Sequence, residues 1–264
     1  MKCGAIFSKV DVRDYQFACA SNINDFPDEF ELKTVRIKNQ GACGSCVSHA
    51  LSSIIEYYNA IQRNDTTEMS IGYIYGNRRN SKHKEPGMII RDALDIVREY
   101  GDVPKHLFPY NVETPRAIEL YETKAEELYD VGRPNRISAY CRVNTVGAAK
   151  LAIRSGTPLL MAIEWYDDMR VNEDGILETE YIGYAGGHCM FIYGWNEHGW
   201  KVQNSWGKDW GVDGSFILPY EMSIPECWAV MDDIVEGANI KKPFSSGIGR
   251  IFARVINSLC NFFM

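Results

Sequence analysis

The stretch Asn39-Gln40-Gly41-Ala42-Cys43-Gly44-Ser45-Cys46 runs directly into a helical pattern, and that junction restricts what the chain can become. After Cys46, apolar residues fall at Val47, Ala50, Leu51, Ile54, Ile55 and Tyr58, the spacing of a helix with one buried face. Ser45 is the expected N-cap. Cys46 then stands in the first turn, where unpaired backbone N–H groups and the positive end of the helix dipole favour an anion. A thiol so placed has a lowered pKa, and the thiolate is its nucleophilic form. The glycines before it allow close approach of the main chain, and Gln40 adds a side-chain amide donor nearby.

A nucleophilic sulfur needs a base and a group to orient that base. Gly186-Gly187-His188 and Asn204-Ser205-Trp206-Gly207 supply them downstream. Imidazole titrates near neutral pH, so His188 can take the thiol proton and return it to a leaving amine. Asn204 can accept the other ring N–H, as the third member of a triad. Alternation along Trp200–Asn204 puts Trp200, Val202 and Asn204 on one face, and Trp206 can shield the His–Asn bond from water. The Cys46 N–H and the Gln40 side chain are the candidate donors to an oxyanion. His49, one turn along from Cys46, is read as helix packing.

The run Q-G-A-C-G-S-C with its distant His and Asn resembles the papain-like cysteine peptidases. Cys46 and His188 stand 142 residues apart, inside the roughly 130–150 residues typical of that family. Val47 departs from the aromatic residue usual after the nucleophile. The resemblance implies an α+β papain-like fold: a helical left subdomain, a β-barrel-like right subdomain, and an active site in the cleft between them. It implies peptide or protein substrates, a thioester acyl-enzyme, and no cofactor or metal. Two rivals carry the same Cys–His pair, an inactive binding scaffold and an amidase or transpeptidase. By the same resemblance Gly87, Met88 and Ile89 line the non-primed side of the cleft. Ala162, Gly186 and Gly187 wall an apolar pocket for the residue two before the cut. The family's disulfide from the cysteine at position 43 lacks a partner, since no cysteine lies between Cys46 and Cys141. That absence fits a reducing compartment.

Composition bounds the alternatives. The 264 residues are 45% hydrophobic and 24% charged, which suits a compact globular chain of one or two subdomains. A net charge of −7 argues against a general nucleic-acid binder. There is no run of about 18 apolar residues to span a membrane, and Met1–Val10 lacks a signal-peptide core, which favours a cytoplasmic start. Cys43 and Cys46 have the C-x-x-C form, but no second pair completes a zinc site.

Four segments follow. Residues 1–30 form a short N-terminal extension, a candidate pro-segment, whose Asp11-Val12-Arg13-Asp14-Tyr15 run resembles that of short bacterial members of the family. Asp11 and Arg13 are expected to tie it to the body, with the arm either blocking the cleft or bracing it. Residues 31–135 are helical, including Ile89–Tyr100 and a Glu-rich stretch from Thr114 to Tyr129. Residues 136–236 are β-rich, with strands expected at 137–143, 158–166, 187–195, 200–204 and 215–218, and a short helix at 146–155. Residues 237–264 hold Lys241, Lys242, Arg250 and Arg254 with no acidic residue. Their helical spacing from Ile248 to Phe263 reads as a basic amphipathic helix for an anionic membrane surface or a protein partner through 245–264.

Overall fold

The computed structural model describes residues 3–17, 26–83, 85–109 and 124–232. The C-terminal helix expected at 245–264 and most of the Glu-rich stretch lie outside them. Two short strands come first, β1 (Ala5–Ile6) and β2 (Phe30–Glu31), then helices α1 (Cys46–Arg63) and α2 (Ile71–Gly76). Strand β3 (Met88–Ile89) leads into α3 (Ile90–Tyr100), and α4 (Tyr129–Gly132) closes the helical half. The β-rich half holds β4 (Ala139–Arg142), α5 (Val146–Arg154), β5 (Leu159–Tyr166), β6 (Arg170–Val171) and β7 (Leu177–Glu178). It ends with β8 (Tyr184–Trp195), β9 (Gly199–Gln203), β10 (Ser215–Pro219) and β11 (Glu226–Met231). The main sheet runs β10-β9-β8-β5-β11-β4, each neighbour antiparallel. Among the described residues no helix is long and apolar enough to cross a membrane.

Helix α1 is the centre of the molecule and differs from its expected form. Its periodicity predicts one buried face, yet Ser48, Ser52, Ser53, Glu56 and Asn59 are buried as well as the apolar residues. The helix is enclosed between the other helices and the sheet. Tyr58 Oη donates to the Val230 carbonyl at 2.7 Å and Tyr57 Oη to that of Gly156 at 3.0 Å, fastening it to the β-rich half. Ser48, Ser53, Glu56 and Asn59 survive burial because they are paired. Lys38 Nζ lies 2.9 Å from Glu56 Oε2, with 3% and 7% of the two side chains exposed. It also donates to Ser53 Oγ at 3.2 Å, while Glu56 Oε1 accepts the Met69 N–H at 2.9 Å. Asn64 ends the helix in the left-handed region, φ 54°, which Asn tolerates better than most residues.

Strand β1 connects the two halves. It pairs parallel with β3 (Ala5 with Met88, Ile6 with Ile89) and antiparallel with β8 (Ala5 with Gly187). No strand was expected there, since two residues carry no readable alternation.

The enclosed ion pair gives the first prediction. Lys38→Met leaves the Glu56 carboxylate buried without its cation and should cost about 3–5 kcal/mol of stability in denaturant unfolding. Adding Glu56→Gln should recover part of that loss. A change below about 1 kcal/mol for the single variant would contradict this view of α1.

Candidate active site

Cys46 is the first residue of α1, as the sequence predicts, but Ser45 does not cap the helix with its side chain. Instead its carbonyl accepts Ser48 Oγ at 2.9 Å, the His49 N–H at 3.0 Å and His49 Nδ1 at 2.8 Å. His49 is fully buried, and burial pushes its pKa down to about 3. It serves as a neutral donor inside the first turn.

The strand-borne half of the site is built by β8 and the turn after β9. His188 Nε2 lies 2.8 Å from Asn204 Oδ1. The same Oδ1 accepts the backbone N–H of Ser205 at 2.8 Å. A backbone N–H can only donate, so this atom is the amide oxygen. His188 Nε2 must therefore carry the ring hydrogen, which leaves Nδ1 as the basic nitrogen of the neutral imidazole. Nδ1 is buried and makes no hydrogen bond. Trp206 stacks on the imidazole, centroids 4.4 Å apart and planes 17° apart, in the covering position the sequence predicts. Trp165, absent from that expectation, meets the same ring edge-on at 5.3 Å and Trp206 at 4.7 Å. Its place on β5, opposite β8 in the sheet, was not readable from local spacing.

Gln40 is fully buried. Its Nε2 donates to the Cys43 carbonyl at 2.8 Å and its Oε1 accepts Ser205 Oγ at 2.7 Å. These two bonds fix which end of the amide is the donor and tie the loop before α1 to the Asn204 turn. Backbone N–H groups of Cys189 on the histidine strand and of Gly4 on the arm both favour the thiolate form of Cys46. The cysteines at 3, 43, 46, 189 and 227 are free thiols. Among the described residues no group of three or more His, Cys, Asp or Glu side chains could hold a metal ion.

The residues expected to line the cleft are in contact with the N-terminal arm. Met88 N donates to the Gly4 carbonyl at 2.9 Å. A Cβ on Gly187 would fall 2.3 Å from the Ala5 oxygen, and one on Gly186 3.1 Å from Cys3 Cβ. Gly87 takes φ +104°, and a Cβ there would meet the Gly4 oxygen at 2.7 Å. Ile89 pairs with Ile6, while Ala162 lies buried below, opposite Cys189 on one side and Glu226 on the other. Cys46 and His188 are both 0% exposed. Burial, the largest influence, raises the Cys46 pKa against the pull of the N–H groups. It also lowers His188 to about 4, against the Asn204 hydrogen bond that raises it. With the arm seated the pair is a neutral thiol and a neutral imidazole.

The tie between arm and body also differs from expectation. Arg13 pairs with Asp11 on the arm itself, at 2.6 Å, with 87% of its side chain exposed. Asp11 does reach the body, 4.0 Å from Arg91, but the closer connection is made by Asp14, to Arg91 and Arg142. Sequence reasoning missed both arginines and Glu226, whose Oε2 accepts the Ser8 N–H at 2.7 Å. A glutamate directly ahead of the apolar run Cys227–Val230 was the available signal.

A cysteine at the start of α1 and a strand-borne histidine held by an asparagine thus stand within one α+β fold. The chain belongs to the papain family of cysteine proteases, whose family model matches residues 26–231. It is 36% identical over 203 residues to a cathepsin B-like protein (CP2) of Giardia intestinalis, covering 74% of this chain and 67% of that protein. An uncharacterised peptidase C1-like protein of Acanthamoeba polyphaga mimivirus is 30% identical over 200 residues, covering 69% of this chain and 64% of its own length. The chain thus spans about two thirds of each of these relatives. Xylellain, a cysteine protease of Xylella fastidiosa, shares the fold with a TM-score of 0.75 at 22% identity, covering 88% of this chain and 96% of that one.

Gly4 tests how the arm sits. A Cβ there would fall 1.9 Å from the Gly44 carbonyl oxygen, a backbone atom that cannot yield. Gly4→Val should unseat β1, re-expose Cys46 to water and lower its pKa toward the thiolate form. Iodoacetamide should alkylate Cys46 slowly at pH 7 in the parent chain, accelerating only in alkali, and more than about tenfold faster at pH 7 in the variant. Equal rates at pH 7 would overturn this seating.

Proposed function

We propose that the chain is a latent cysteine peptidase that cleaves peptide bonds through a thioester on Cys46. The observation that carries this reading is the tautomer of His188, which turns an unprotonated Nδ1 away from Asn204. In the open form Nδ1 takes the Cys46 proton, and the thiolate attacks the substrate carbonyl carbon. The resulting oxyanion receives the Cys46 N–H and the Gln40 amide. Collapse expels the amine, which takes the proton back from His188, and leaves the acyl group on sulfur. Water then attacks the thioester, giving its proton to His188, and the carboxylic acid and free thiol are released. Asn204 holds the ring for both proton transfers, and Trp206 keeps that hydrogen bond dry.

In the closed form β1 occupies the place a peptide would take, so its departure precedes turnover. Substrates on this reading are peptides or proteins, and the occupied cleft favours an enzyme over a scaffold, because an arm seated against the nucleophile has something to restrain. The papain-family match favours peptide bonds over the amidase or transpeptidase alternative.

Cys46→Ala and His188→Ala should each abolish hydrolysis of a peptide library without changing the fold. Asn204→Ala should retain a weaker activity, since orientation costs less than removal of the nucleophile. Gln40→Ala should lower kcat by about 10–1000-fold with little change in KM. Turnover by Cys46→Ala would remove the nucleophile assignment, and an unchanged kcat would remove Gln40.

A further inference from the structure

Beyond Ser8 the arm turns and closes on two arginines. Asp14 Oδ2 lies 2.5 Å from Arg91 Nη2 and 3.1 Å from Arg142 Nε. Asp11 is 4.0 Å from Arg91. Both carboxylates within ion-pair reach of Arg91, among the described residues, therefore belong to the arm. Among the described residues Arg142 has one carboxylate partner of the body, Glu226, whose Oε1 is 3.7 Å from Nη2. That oxygen also accepts Trp228 Nε1 at 2.8 Å. The Trp228 ring faces both guanidinium groups, 5.5 Å from Arg91 and 4.6 Å from Arg142.

The cluster lies at one end of the cleft. Arg91 follows β3 almost directly, and its backbone N–H donates to Ser8 Oγ at 2.9 Å. Glu226 pairs in register with Ala162 on the neighbouring strand. Ser8 is four residues along the arm from Gly4, roughly 13 Å in extended chain, within reach of a peptide seated at Cys46. With the arm in place two cations face three carboxylates, Asp11, Asp14 and Glu226. Without it, among the described residues, two cations face Glu226 alone, against an aromatic wall that weakens hydration and strengthens the field.

We propose that Arg91 and Arg142 form a carboxylate-binding site at the non-primed end of the cleft. Asp14 fills it in the closed chain, and an acidic side chain of the peptide substrate fills it in the open one. This rests on the peptidase reading above. Two guanidinium groups suit a carboxylate because their planar N–H forks match its two oxygens. Glu226 accepts the Ser8 N–H in the closed chain and takes a substrate main-chain N–H in the same way. Its charge is matched by Arg142, so a substrate lysine there would add a third cation.

Hydrolysis of matched peptides by the full-length chain tests this. A single Asp is stepped through the third to sixth residues before the cut, with Asn and Lys counterparts. Opening of the arm precedes cleavage of every peptide alike, so its cost cancels in the ratios. At one position Asp should exceed Asn by roughly tenfold or more in kcat/KM, as a charge-assisted pair provides, and Lys should fall below Asn. Arg91→Gln, at the more exposed arginine, should bring the Asp-to-Asn ratio to within about twofold of unity. Arg142→Gln repeats the test from the buried side. A flat ratio in the parent chain, or an Asp preference unchanged in Arg91→Gln, would overturn the site. Failure to cleave any peptide while Cys46 still alkylates would instead overturn the peptidase reading, and this site with it.

Discussion

Asn204 Oδ1 receives two donors, the Ser205 N–H and His188 Nε2, each at 2.8 Å. Because the first of these can only donate, the second is fixed as a ring N–H, and the basic nitrogen of His188 faces the other way. The rest of the site maintains this arrangement. Trp206 covers the bond from one side, Trp165 braces the ring edge, and Ser205 Oγ reaches Gln40 across the junction with the loop before α1. One short turn after β9 thus sets the tautomer of His188 and the orientation of the Gln40 amide together.

The arm works against that machinery by the same physics. Seating β1 between β3 and β8 satisfies backbone groups of both halves, and it removes Cys46 and His188 from water. Desolvation disfavours both members of a thiolate–imidazolium pair, so the seated arm keeps the Cys46 thiol and the His188 ring neutral without any change in the His188–Asn204 bond. Gly4, Gly87, Gly186 and Gly187 allow the approach, since a Cβ on any of them would meet the opposing chain at about 3 Å or closer. The arm is held in the cleft by main-chain hydrogen bonds, and at its far end by Asp14 together with main-chain hydrogen bonds of Tyr15 and Phe17 to Arg142.

What was legible in the sequence was local or ordered along the chain. Cys46 at the start of a helix, His188 in a strand and Trp206 over the His188–Asn204 bond follow from short motifs and alternation, while Asn204, expected as the last residue of a strand, falls just past β9. The strand limits shifted by a few residues: β8 begins at Tyr184 instead of 187 because the sheet continues opposite Tyr166. What was not legible depended on contacts between distant positions. Trp165 reaches His188 only because β5 and β8 are neighbours. Asp14 meets Arg142 from 128 residues away and Ser8 meets Glu226 from 218. No local pattern marks such partners. Ser45 misled for a different reason, since its carbonyl and not its hydroxyl organises the first turn of α1.

The seated arm is the claim on which latency and the carboxylate site both depend, and amide hydrogen exchange reads it directly. Met88 N–H bonds the Gly4 carbonyl, Ser8 N–H bonds Glu226 and Arg91 N–H bonds Ser8 Oγ. In the full-length chain these three amides should exchange far more slowly than in an unstructured peptide, and Gly4→Val should release Met88 and Ser8 while amides in the middle of α1 stay protected. Exchange of Met88 and Ser8 at unstructured rates in the parent chain would contradict the account.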